Sequence, residues 1–257
     1  MDAEELQIAK DAYTDLTNYF IDNELAENIN FGVISFSRNA TPYFNLTAEE
    51  AISTIQSLTT APASQGTKYN DGLYQGFNFL AQSTKDALNT TNIAYFVADG
   101  KSQTNFFDPN DISYHGDAQL LRRFAHVQAF GINDGTNAAG AVTTGQLNFI
   151  DSNQGEIVGD ASNLSSALQQ SGLAGSVEGV NILLDGEVVD TITPEMLTDT
   201  PLGLTYEGEL DELDVSIDAE NVITAEVVFT PEANLETTTV EHIVTAGEGE
   251  VMDAEGN

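Results

Sequence analysis

The chain reads as an α/β protein: a mostly parallel sheet flanked by helices, followed by a small acidic, mainly-β segment. Three observations predict this. Apolar runs of strand length alternate with amphipathic helical stretches over the first two thirds of the 257 residues, and that alternation calls for parallel strands joined by right-handed crossovers. The run Ile93-Ala94-Tyr95-Phe96-Val97-Ala98 stops at Asp99-Gly100, as a buried parallel strand does when its tip carries a site. Further on the period shortens to strands and turns, and no cation follows Lys10, Arg38, Lys68, Lys85, Lys101, Arg122 and Arg123. The domains that follow are 1–172 and 173–257, the second acidic throughout.

Each element has a local reason. Leu6, Ala9, Ala12, Tyr13, Leu16 and Phe20 recur at three- and four-residue spacing behind a cluster of acids, which predicts a helix over 3–21. Residues 29–36 read as a buried strand and 40–46, with Pro42 inside, as an edge strand. Thr47-Ala48-Glu49-Glu50 is a capping box that opens a helix to about Leu58. A polar loop over 59–68 ends at Gly66-Thr67 and leads directly into a helix over 69–80. After the strand at 93–98 come a polar loop to Gly116, a helix near 118–124, a strand at 127–132, a short helix near 143–147, a strand around 156–158 and a helix over 162–170. Strands at 180–184 and 188–192 flank Asp185-Gly186, a strong hairpin signal, with a turn of two residues or more. Short strands at 213–217, 222–229 and 239–244 complete the reading.

Composition excludes several functions. With 41 acids against 7 bases and a net charge of -34, the chain lacks the cations that nucleic acid requires, and an anionic membrane would repel it. The absence of cysteine removes disulfides, thiolate metal sites and cysteine nucleophiles. No run of 18 apolar residues can span a membrane, and Met1-Asp2-Ala3-Glu4-Glu5 is the opposite of a cationic signal peptide. The abrupt start and acidic end read as an internal piece of something larger. No Gly-x-Ser-x-Gly elbow, phosphate-binding glycine loop or His-rich metal motif is present, so no enzyme is predicted. His115, His126 and His242 have no partner at ligand spacing and read as structural or surface residues. Arg122-Arg123 reads as internal pairing. Asp108, Asp111 and Asp117 flank a loop that is either a solvated Asp108-Pro109 turn or, less simply, an accessory calcium site.

Gly66-Thr67-Lys68-Tyr69 ahead of a helix and Ala98-Asp99-Gly100-Lys101-Ser102 after a strand, in this order around Phe31-Gly32-Val33-Ile34-Ser35-Phe36-Ser37, resemble the von Willebrand factor type A domain over roughly residues 1–171. The resemblance implies a Rossmann-like fold and a metal-ion-dependent adhesion site at the carboxyl edge of the sheet. There Thr67 and Asp99 would be two of the ligands of Mg²⁺, Mn²⁺ or Ca²⁺. It also implies that the first, central strand, ending in an Asp-x-Ser-x-Ser loop with three further ligands, lies upstream of Met1 and belongs between the strands of Val33 and Val97. Asp214-Val215-Ser216-Ile217-Asp218 loosely echoes that loop, but alternation on an exposed strand explains it better. The acidity, the lack of cysteine and the segment from Gly155 to Leu164 look similar to type A domains of large repetitive adhesins of the RTX type, exported by type I secretion. The function implied is non-enzymatic adhesion at the bacterial surface or in biofilm. The extracellular module would capture an acidic group on a protein or cell-surface ligand, beside neighbouring domains of a longer chain and a β segment with structural calcium. The alternative is a spacer with no ligand of its own, its metal site incomplete.

Overall fold

Asp2 opens the first helix, α1 (Ala3–Asp22), as a capping box: its carboxylate accepts from the N–H of Glu4 at 2.8 Å and of Glu5 at 2.9 Å, and Glu5 accepts the Asp2 N–H. The computed structural model describes residues 1–60, 67–83, 92–102, 112–132, 140–152, 155–158, 163–170, 177–201, 203–208, 220–230 and 238–245. They fall into two compact units, Met1–Gln170 and Ser171–Asn257.

In the first unit, β1 (Phe31–Phe36) pairs antiparallel with β2 (Ala40–Leu46). The predicted capping box at Thr47 and Glu50 forms and starts α2 (Ala48–Ser57). Next comes α3 (Tyr69–Ser83), then β3 (Ile93–Ala98), α4 (His115–Arg122), β4 (His126–Ile132), α5 (Thr144–Leu147), β5 (Glu156–Val158) and α6 (Leu164–Leu168). Strands β3, β4 and β5 form a parallel sheet in that order. The fourth helix begins three residues earlier than periodicity predicts. Tyr114, 1% exposed, buries its ring at the helix start, and Phe124 packs on the core from just beyond the end.

The two faces of β3 separate two cores, because successive strand side chains point to opposite sides. Phe96 and Ala98 join Leu73 and Leu80 of α3, Ala118 and Leu121 of α4, and Val127 and Ala129 of β4. Val97 faces the other way, with Phe130, Ile132, Leu16 and Phe20 of α1, and Leu164 and Leu168 of α6.

One feature departs from a single continuous sheet: β1 and β2 stand as a separate ribbon. Beyond the carboxyl ends of β1 and β3 one segment joins the two, with the Lys68 N–H donating to the Ser37 carbonyl at 2.7 Å and Thr67 bridging in parallel to Ser102. On the α3 side the rings of Phe36 and Phe96 stack at 5.2 Å. On β3 the Tyr95 carbonyl accepts the Tyr13 hydroxyl of α1 at 3.2 Å.

A second irregularity lies on β4. Strand β5 pairs only with Phe130, Gly131 and Ile132, and two polar residues after α5 serve the earlier half. Asp151 Oδ2 accepts the Ala129 N–H at 2.5 Å, Ser152 Oγ accepts the Val127 N–H at 2.9 Å, and the Ser152 N–H donates to the Val127 carbonyl at 2.8 Å. They continue the ladder without being a strand, which leaves these buried amides satisfied.

The second unit is described by itself. It contains β6 (Val177–Leu184), β7 (Glu187–Ile192), β8 (Thr198–Thr200), β9 (Gly203–Thr205), β10 (Glu220–Phe229) and β11 (Thr238–Thr245). An antiparallel sheet runs β11-β10-β6-β7, and β8 pairs with β9. The hairpin turn is two residues, Asp185 with φ 50° and Gly186 with φ 88°, the positive pair that a type I′ turn requires. Asp185 also exchanges hydrogen bonds with the Val222 backbone, each 2.9 Å. The three-residue strands β8 and β9 are too short for a periodic pattern, and the expected strand at 213–217 lies outside the described residues. Among the described residues no helix is long and apolar enough to cross a membrane.

Candidate functional site

The carboxyl end of β3 delivers Asp99, and the residue after it has no side chain. Were a Cβ present on Gly100, Thr67 Oγ1 would lie 3.6 Å from it. The Thr67–Ser102 bridge and this close approach bring the two sequence-predicted residues to one edge of the sheet. The turn is held by a further segment as well: the Lys101 N–H donates to the Gly140 carbonyl at 2.9 Å, and the Val142 N–H to the Asp99 carbonyl at 3.1 Å. The Asp99 side chain is 28% exposed, with Oδ2 2.5 Å from the Met1 nitrogen.

Tyr69 stands beneath the turn, completely buried, with its hydroxyl donating to the Gly100 carbonyl. Burial pushes that hydroxyl well above its ordinary pKa, with the nearby Tyr114 and then Asp99 adding to the effect. It therefore remains a donor at any physiological pH.

Hydroxyl and carboxylate are hard oxygen donors, the chemistry that Mg²⁺, Mn²⁺ or Ca²⁺ takes. Thr67 and Asp99 fit such a cation as two of its roughly six ligands. Among the described residues no group of three or more His, Cys, Asp or Glu is gathered as a metal site would be.

Two further acids, distant in sequence, repel each other through space. The Asp117 carboxyl of α4 is held above its ordinary value, first by partial burial and then by the Asp71 charge at the start of α3. A carboxyl raised by folding opposes stability above its folded pKa. The penalty shrinks as pH falls through that value and is gone below the unfolded one, near 3.8. Asp117→Asn is therefore expected to raise the melting temperature at neutral pH and to change nothing below that lower bound, in melts run at both. An unchanged or lower melting temperature at neutral pH would count against the repulsion.

The other sequence candidates resolve simply. Asp108 and Asp111 lie outside the described residues. His115 stacks on Phe149 at 3.7 Å and meets Tyr114 edge-on at 4.7 Å, His126 opens β4, and His242 pairs with Ile223 in the β10–β11 ladder. Arg122 donates to the Asp151 carbonyl at 3.2 Å, an internal pairing. The residue that sequence reasoning passed over is Tyr69, which looked like an ordinary helix start. Its only sequence signal was its place two residues after Thr67.

Comparison with known proteins adds a family. No curated protein matches the chain. Among solved structures, an uncharacterized membrane spanning protein from Vibrio fischeri is 16% identical, covering 64% of this chain and 82% of that one, with a TM-score of 0.26, a likeness too slight to bear on the fold. The family model for the von Willebrand factor type A domain matches residues 1–171. That match spans most of the 257 residues and includes both loops of the site, and the chain therefore belongs to the von Willebrand factor type A family.

Proposed function

We propose that this chain is a non-enzymatic adhesion module of an extracellular bacterial surface protein of the repetitive RTX type, and that it captures an acidic group on a protein or cell-surface ligand through a divalent cation. Type A domains are in general interaction modules rather than enzymes. The observation that carries the reading is the approach of Thr67 to Gly100 and Ser102, in the turn that follows Asp99. When bound, the cation would supply an electrophilic position for a carboxylate of the partner. Thr67 and Asp99 would hold it, with further oxygen ligands coming from a strand that fills the space between β1 and β3. The separation of the β1–β2 ribbon from the β3-β4-β5 sheet supports such a completion. The acidic composition supports a saline, calcium-containing setting, with structural Ca²⁺ in residues 173–257.

The test is a Mn²⁺ titration of the chain extended at Met1 by an apolar strand ending in Asp-x-Ser-x-Ser, with and without Asp99→Ala. The substitution is expected to weaken binding by about tenfold or more. Equal affinity in the two proteins would sink the metal reading. The alternative is a spacer with no ligand of its own. An extended chain that stays compact and takes no Mn²⁺ would establish it.

A further inference from the structure

Tyr69 joins parts of the first unit that are far apart in the chain. Its ring lies edge-on to Phe36 of β1 at 6.2 Å, to Phe96 of β3 at 5.0 Å and to Tyr114 at the start of α4 at 5.3 Å. Its backbone follows Thr67 by two residues, and its hydroxyl donates to the carbonyl of Gly100, the residue after Asp99. The ring is therefore fixed by the core and the hydroxyl by the turn.

Gly100 receives both loops. Its carbonyl takes the Tyr69 hydroxyl, and the place a Cβ would occupy on it lies 3.6 Å from Thr67 Oγ1 and from the Gly140 carbonyl oxygen. The bonds of Lys101 to Gly140 and Val142 to Asp99 tie this turn to residues 140–142, and the Thr67–Ser102 bridge meets Thr67 only beyond the turn, after Lys101. We propose that Tyr69 is a positioning residue: its hydroxyl fixes the turn at Asp99, Gly100 and Lys101 relative to Thr67 and so sets the spacing of the two oxygen donors. The consequence for a cation rests on the metal reading given above. The hold on the turn does not.

Apolar anchoring alone would account for a buried aromatic ring at this position, so the experiment has to isolate the hydroxyl. Tyr69→Phe keeps the ring and its three aromatic neighbours. Amide exchange in the full chain is expected to quicken several-fold, up to about tenfold, at Lys101 and Val142, with Val127 and Ala129 of β4 unchanged. Phe77→Leu, on the same helix and against the same core, lowers stability without touching the turn and should leave Lys101 and Val142 as they are relative to β4. If Tyr69→Phe lowers the melting temperature but moves exchange no more at the turn than in β4, the tyrosine is an anchor only and the proposal falls.

A Mn²⁺ titration of the same variants, each extended at Met1 by the apolar strand ending in Asp-x-Ser-x-Ser, separates the two claims. Weaker binding by Tyr69→Phe, together with faster turn exchange, supports the proposal through to the cation. Faster turn exchange in a chain that takes no Mn²⁺ supports the hold on the turn and overturns the metal reading alone.

Discussion

Gly155→Ala is expected to destabilise the first unit by roughly 3 kcal/mol, the upper range for forcing an atom into a filled space. A Cβ at this position would lie 2.2 Å from Leu147 Cβ, 2.8 Å from the Leu147 carbonyl carbon and 3.0 Å from its Cα. Two of those atoms are backbone, so no rotamer change relieves the contact. Nor can Leu147 retreat. Its side chain is fully buried, its N–H donates to Thr143 at 3.1 Å, and its carbonyl accepts from Asp151 at 2.8 Å. Gly155 is tied in turn by its own N–H, which donates to Asn148 Oδ1 at 3.0 Å. The strain must then open the approach of α5 to β5 or shift the β4–β5 register. Gly145→Ala is the control: it sits in α5 with nothing within 4 Å of its Cβ position, and alanine there should be neutral or stabilise by up to about 1 kcal/mol. Urea unfolding of both variants gives the comparison, and a Gly155→Ala midpoint equal to the parent's would refute the close approach.

Asp151→Ala is expected to cost about 2–3 kcal/mol, because it leaves a buried amide without its acceptor. The Ala129 N–H points at Asp151 Oδ2 in the interior of the unit, where Asp151 is 5% exposed and Ala129 is 1% exposed. No strand lies opposite to take over that donor, since β5 begins its pairing only at Phe130. Asp151→Asn keeps an oxygen there and should lose about half as much. Amide exchange at Ala129 localises the effect: it should quicken in the alanine variant beyond the change in global stability. Loss of stability with Ala129 still protected would mean that Asp151 acts elsewhere.

These two positions also show where sequence reasoning reaches its limit. The capping box of α2 was legible because donor and acceptor lie within three residues of each other. The Ile93–Ala98 strand was legible because burial on both faces leaves an unbroken apolar run. The Asp185-Gly186 turn was legible because few residue pairs tolerate two positive φ angles. Asp151 bonds an amide 22 residues away, and Gly155 yields space to a leucine on another element, so neither leaves a periodic trace. The site divides the same way. Asp99 was marked by the strand that ends there, and its approach to Thr67 was expected from the order of motifs, whereas Tyr69 draws its role from rings on β1, β3 and α4. The start of α4 shifted for the same reason, since Tyr114 belongs to the helix entrance through tertiary burial. What the pattern could not express was the separation of β1 and β2 into their own ribbon.

The inward edges of β1 and β3 set the terms on which copies of this chain meet. A strand edge is a template for another chain, and proteins guard such edges with charge or cover. Here the long-range guard is electrostatic, a net -34 on every copy, and its reach depends on the medium: about 30 Å at 0.01 M salt but only about 8 Å at physiological ionic strength. In dilute buffer, copies are kept apart before any edge comes near another. In a saline medium that protection contracts to the last few ångströms, and dispersal of the protein then depends on the Phe36–Phe96 stack and the Tyr13 hydroxyl that cover the two edges at close range.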